Sequence, residues 1–164
     1  EDARIASKNI AALLRTPAVT LGGLKRVEVQ PVVESIVSIL REVHHDPDMT
    51  VSVDVAPAYT DPSFVHQVFF QLLNNAFQHG ARQIAVRAEH EDAWWMVSVS
   101  DDGAGIPFDR ASEVFSPCVG TVGRDGMGLT VARRLVRMLG GRLWVDSEQI
   151  GGTIVRFELP QLLN

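Results

Sequence analysis

Cysteine is nearly absent from this sequence. Cys118 alone cannot close an internal disulfide, and no Cys/His cluster has zinc-site spacing, which excludes a disulfide scaffold and a structural zinc centre and fits a reduced, cytosolic setting. Lysine is scarce too, with only Lys8 and Lys25, and the net charge is -5, so the domain-wide basic surface that nucleic acid requires is missing. No run of eighteen apolar residues occurs, and the acidic start Glu1-Asp2 has the wrong charge for a signal peptide, so neither a membrane span nor a secretory leader is expected. What remains is ordinary globular material, with 46% apolar and 21% charged residues in 164. A chain of this size removes roughly 70% of its unfolded surface from water, enough for one self-sufficient core.

Glycine is unevenly placed. Ten of the thirteen fall between Gly103 and Gly152, which concentrates unusual backbone geometry in the C-terminal half. Residues 1–28, broken by Pro17 and Gly22-Gly23, read as a linker or the stub of a preceding helix, and 29–164 as the domain proper. Pro31 to Val43 carries Val32, Val33, Ile36, Val37, Ile39 and Leu40 at helical spacing, and Met49 to Val55 alternates as a half-buried strand does. Asp61-Pro62 caps a second helix with an apolar stripe from Phe64 to Ala76, stopped by Gly80. Gln83–Glu89 and Trp94–Ser100 form a hairpin across His90-Glu91-Asp92. A third helix after Gly128 ends at Gly140-Gly141, and Arg142–Ser147 with Thr153–Leu159 makes a last hairpin. Strands joined by short turns are antiparallel, and helices interspersed among them cover one face, so the expected fold is an α/β two-layer sandwich.

Three elements carry candidate chemistry. On the second helix Gln71, Asn75, Gln78 and His79 share one face, at i, i+4, i+7 and i+8. Such a face is ordinarily just solvated, but two adjacent mid-helix asparagines are poor helix formers, and an amide oxygen is a hard ligand suited to Mg²⁺. Directly after a strand, Asp101-Asp102-Gly103-Ala104-Gly105-Ile106 is either a plain turn or a place where Gly103 and Gly105 let the backbone approach a flat ligand while Asp101 accepts from an exocyclic amine. Finally, Gly123-Arg124-Asp125-Gly126-Met127-Gly128-Leu129 opens the third helix, where free N–H groups attract phosphate. It lacks the Gly-Lys-Ser/Thr of a Walker A loop.

Together, in this order, these elements resemble the Bergerat-type ATP-binding domain shared by sensor histidine kinases, type II topoisomerases, heat-shock chaperones and mismatch-repair ATPases. Leu72-Leu73-Asn74-Asn75-Ala76 looks like its asparagine box, Asp101 to Ile106 its Asp-x-Gly-x-Gly box, Gly126-Met127-Gly128-Leu129 its second glycine box and Gly151-Gly152-Thr153 its last motif. The resemblance implies a mixed, largely antiparallel sheet with helices on one face, and ATP with Mg²⁺ as ligands. It also implies roles: Asn75 for Mg²⁺ between the phosphates, Asp101 for the adenine amine, Thr153 supporting that carboxylate through water, His79 near the adenine, and Phe108–Asp125 as a lid. Gly103, Gly105, Ile106, Arg124, Gly126, Gly128 and Leu129 complete the nucleotide-binding set.

Within the family the C-terminal half is most similar to the histidine kinases. Hydrolytic members place a glutamate base four residues before the Mg²⁺ asparagine; here that position is Gln71, whose amide cannot take a proton from water. The implied activity is therefore transfer of the ATP γ-phosphoryl group to a histidine on a separate helical dimerisation domain, with a response regulator downstream. The protein would be cytoplasmic, or the cytoplasmic part of a membrane-bound sensor. Arg15-Thr16-Pro17 echoes an acceptor box in which Ala12 stands where the histidine would be, while His44, His45 and His90 read as solvated loop residues and His66 as a helix-surface residue. Kinases usually carry asparagine at the Gln71 position and lysine or arginine at the Gln78 position. Two other readings stay open: a degenerate nucleotide-binding regulatory module, and an anti-sigma-factor type serine kinase, which Asn75-Ala76-Phe77-Gln78-His79-Gly80 also resembles.

Overall fold

The computed structural model describes residues 23–105, 128–146 and 151–161. Ile106, Arg124, Gly126 and the expected lid Phe108–Asp125 lie outside them. In chain order the elements are β1 (Lys25–Val27), α1 (Val29–Val43), β2 (Thr50–Val55), β3 (Ala58–Thr60), α2 (Pro62–Gln78), β4 (Gln83–Glu91), β5 (Trp94–Asp101), α3 (Gly128–Met138), β6 (Arg142–Asp146) and β7 (Thr153–Pro160).

Five strands form one sheet in the order β2-β4-β5-β7-β6, antiparallel throughout except that β2 runs parallel to β4. A parallel pair needs a crossover, and β3 with α2 supplies it. Alternation fixes the sheet's faces. Ile84, Val86 and Ala88, then Trp95, Val97 and Val99, then Val155, Phe157 and Leu159 are buried on the helix side, while their neighbours along each strand are not. Phe69, Trp95 and Phe157 meet edge to face there with ring centres 5.8–6.2 Å apart, and the Trp95 indole N–H donates to the Ala56 carbonyl at 3.2 Å. The expected two-layer architecture is what the chain adopts.

Several details differ from expectation. Lys25–Val27, inside the stretch read as linker, pairs with Ala58–Thr60 in a small second sheet, and the Gln161 side chain accepts from the Tyr59 N–H at 2.9 Å. The β4–β5 turn is tighter than the sequence implies: His90 and Glu91 belong to β4, and Asp92 takes the left-handed turn conformation at φ 52°. His90 is bonded as well, its Nε2 lying 2.7 Å from the Pro57 carbonyl. Ile39, counted in the apolar stripe of α1, is exposed.

α2 carries the first half of the site. Asp61 accepts from the N–H groups of Ser63 and Phe64 at 2.8 and 3.3 Å, Pro62 occupies the first turn, and Gly80 at φ 74° follows the end. Its apolar side packs between α1 and α3. Among the described residues no helix is long and apolar enough to cross a membrane.

Candidate functional site

Asp101 is the last residue of β5, directly opposite Thr153, the first of β7. Its Oδ1 accepts the Gly103 N–H at 2.9 Å, the Thr153 backbone also bonds the carboxylate, and the side chain is only 8% exposed. Burial pushes this carboxyl above the ordinary aspartate range. The Gly103 bond and the nearby His79 pull the other way, and Asp102 adds to the rise. A carboxyl raised in the folded state favours folding below its unfolded pKa, and that contribution is lost as pH rises through the folded value. The Gly103 and Thr153 N–H groups thus offset part of what burial costs the charged carboxylate, and they fix its direction in the site.

The adjoining Asp102 is its opposite. It is exposed, and its Oδ1 accepts the N–H groups of Gln83 at 2.9 Å and Arg82 at 2.7 Å, which lower its pKa. Its contribution to stability is present above the unfolded pKa and is lost as pH falls through the lowered folded value. Asp102 staples the loop after β5 to the start of β4, and its own N–H donates to the Gln83 carbonyl at 3.2 Å. Sequence reasoning passed it over as a turn residue.

The glycine spacing has a steric cause. A Cβ on Gly103 would stand 2.8 Å from the His79 carbonyl at the end of α2. One on Gly105, at φ 76°, would stand 2.9 Å from the Gly152 carbonyl. One on Gly152, at φ 84°, would run into the Asp101 carbonyl. Two loops and a helix end therefore converge backbone to backbone around Asp101 and Thr153.

On α2 the predicted polar face is graded. Gln71 is buried, Asn75 and Gln78 are half-buried and His79 is exposed. Gln71 lies under the start of α3, so that end of the face is not solvated: a Cβ on Gly128 would stand 3.1 Å from its Oε1. Asn75 Oδ1 lies 3.1 Å from His79 Nε2, one turn on. Leu129 is buried behind Gly128. The end of α2, the loop after β5, the start of β7 and the start of α3 thus bring together Gln71, Asn75, His79, Asp101, Gly103, Gly105, Gly128 and Thr153.

Among the described residues no group of three or more His, Cys, Asp or Glu could cage a metal. Asn75 offers one hard oxygen, which suits an ion that takes most of its ligands from water and phosphate, as Mg²⁺ does. Two of the remaining histidines are partly buried, His66 on the surface of α2 and His44, expected to be a solvated loop residue. His66 is half-buried and its pKa is lowered by desolvation, and His44 lies between two residues of α2, its Nε2 2.8 Å from Asn74 Oδ1.

Residues 60–163 match the family described as histidine kinase-, DNA gyrase B-, and HSP90-like ATPase. The adaptive-response sensory kinase SasA of Prochlorococcus marinus subsp. pastoris is 34% identical over 131 residues, which is 74% of this chain and 34% of that protein. SasA of Synechococcus elongatus is 31% identical over 149 residues, 83% of this chain and 38% of its own. The chain spans about a third of the length of these curated relatives. Among solved structures, the mycobacterial sensor histidine kinase MprB shares the fold at TM-score 0.73 and 24% identity over 84% of this chain and 97% of its own. Full-length ShkA in complex with AMPPNP does so at TM-score 0.78 and 21% identity over 99% of this chain and 37% of its own.

Proposed function

The chain belongs to the histidine kinase-, DNA gyrase B-, and HSP90-like ATPase family as an ATP-binding catalytic domain of the sensor histidine kinase kind, and we propose that in the intact protein it delivers the ATP γ-phosphoryl group to a histidine on a separate helical domain. The observation that carries this reading is the buried Asp101 carboxylate, fixed by Gly103 and Thr153 where the loops of Gly103, Gly105 and Gly152 pack backbone on backbone. Such a carboxylate is an acceptor for the exocyclic amine of adenine, and the close packing of Gly105 on Gly152 and of Gly152 on Asp101 holds it in place. Thr153 supports it by a backbone bond, to which its hydroxyl adds a contact through water.

Asn75 would hold Mg²⁺, which when bound neutralises charge between the phosphates. Gln78, one turn further, would face the phosphates. His79 orients the Asn75 amide and closes the adenine end of the helix. Ile106, Arg124 and Gly126 complete the set on the segment that would close over the nucleotide. The amide of Gln71 cannot strip a proton from water, which favours transfer over hydrolysis. Transfer breaks the bond from the γ-phosphorus to the β–γ bridging oxygen and forms one to an imidazole nitrogen, leaving ADP. The domain's share of that work is positioning and charge neutralisation. A response regulator would take the phosphoryl group onward, and the cytoplasm is the compartment this placement implies.

The neutral Gln78 favours a second reading, a nucleotide-binding module that regulates by contact and transfers little phosphate. The two separate with γ-labelled ATP. The chain alone should incorporate no label, and label should appear on a histidine-bearing helical domain once that domain is supplied. Label on a histidine of this chain, or hydrolysis abolished by Gln71→Ala, would contradict the kinase reading, and ATP binding without any transfer would favour the module.

A further inference from the structure

His44, at the end of α1, touches α2 at two points that bracket Asn75. Its Nε2 lies 2.8 Å from Asn74 Oδ1, and its ring stacks on Phe77 with centroids 5.5 Å apart and planes 24° from parallel. An amide oxygen only accepts, so the imidazole Nε2 is the donor. Asn74 and Phe77 are three residues apart and share a helix side. Asn75 is turned about 100° away from Asn74, towards His79, whose Nε2 lies 3.1 Å from the Asn75 Oδ1. The two adjacent asparagines therefore give their amide oxygens to different histidines, one on the scaffold side of α2 and one on the ligand side.

The tie matters because of where it falls. Asn75 is in the last turn of α2, where helices lose backbone partners; there the His79 N–H donates to the Ala76 carbonyl at 3.3 Å, the His79 carbonyl accepts from the Ala104 N–H at 3.5 Å, and no basic residue lies in that turn. His44 itself is firmly set. Its N–H donates to the Leu40 carbonyl at 2.9 Å, and the neighbouring Arg41 guanidinium donates to the Met49 carbonyl at 2.8 and 3.2 Å, fixing the end of α1 to the start of β2. A chain of direct contacts thus runs from β2 through α1 to the turn that presents Asn75.

We propose that His44 is a positioning residue for the phosphate end of the nucleotide site, setting the rotation and height of the Asn75 turn from outside the site. This rests on the reading of Asn75 as the Mg²⁺ residue. His44 touches no nucleotide in this account and acts through Asn74 and Phe77.

Calorimetry of the full 164-residue chain with ATP plus Mg²⁺, and separately with adenosine, tests it. His44→Ala and Asn74→Ala should each weaken ATP with Mg²⁺ by about three- to tenfold, the worth of one part-buried hydrogen bond, while adenosine changes by less than about twofold. The double variant should lose no more than the worse single one, because both remove the same link. His44→Gln, whose side chain still offers an N–H, should recover part of the loss. If His44→Ala fails to fold, Asn74→Ala carries the test alone. Variants that lower the melting temperature but leave the ATP-to-adenosine ratio unchanged, or single effects that add, would overturn the positioning role. A wild-type chain that binds adenosine but gains nothing from phosphates and Mg²⁺ would overturn the Asn75 reading as well, a distinguishable result.

Discussion

At the strand end of the site, Asp101, Gly103, Gly105, Gly152 and Thr153 are set by backbone packed on backbone, whereas at the helix end Gln71, Asn75 and Gln78 are amide side chains presented by α2. The difference has a consequence for what each end tolerates. Where an added Cβ would stand within about 3 Å of other backbone no side chain is accepted, so the strand end is all or nothing. Amide side chains can be exchanged with only local cost, and the helix end is adjustable. The two departures from the kinase pattern on described elements, at Gln71 and Gln78, both fall on the adjustable end, while the Asp-x-Gly-x-Gly run at the strand end is intact.

The comparison breaks most visibly at two adjacent glycines. Gly152→Ala drives a Cβ into the Asp101 carbonyl at positive φ and should lower stability by about 2–5 kcal/mol, abolishing nucleotide binding with it. Gly151→Ala shares the positive φ but meets nothing within 4 Å, and should cost about 1–2 kcal/mol. Urea unfolding of both variants measures the gap. Equal losses would mean that the strand end is looser than its geometry.

At the helix end the effects should be smaller and confined to the phosphates. Asn75→Ala should leave adenosine binding intact and reduce ATP affinity in Mg²⁺ to the value without it, about tenfold. Gln78→Lys, at a half-buried position where solvent screens a new charge, should tighten ATP relative to adenosine by about three- to tenfold. Titrating each variant with both ligands reads the ratio directly. A Gln78→Lys gain equal for ATP and adenosine would move that residue away from the phosphates.

How much of this was legible beforehand differs by element for physical reasons. α2 was readable end to end, because Asp61-Pro62, the Phe64-to-Ala76 stripe and Gly80 are local signals that the helix uses. β5 was readable because one face is buried and the other is not. β1 and β3 were not, since three residues carry no period. The parallel direction of β2 was equally hidden, because alternation reports faces and is silent on direction. Within the site, Asp101, Gly103 and Gly105 were found through turn chemistry and resemblance, yet the steric reason for each glycine belongs to contacts more than twenty residues away. Asp102 looked like its neighbour and does a different job, set only by which N–H groups lie nearby. His44 looked solvated because it follows a helix. Its partners Asn74 and Phe77 are 30 residues or more further on, and no local pattern announces them.

The central claim is that Asp101 recognises adenine through its carboxylate, and one titration tests it most directly. Calorimetry of the wild-type chain and of Asp101→Asn with ATP and Mg²⁺, on samples whose melting temperatures show both to be folded, should find binding in the first. In the second it should be weaker by about ten- to a hundredfold, the worth of a charge-assisted hydrogen bond replaced in part by a donor facing a donor. Equal affinity in the two folded proteins would contradict the account and remove adenine from the strand end.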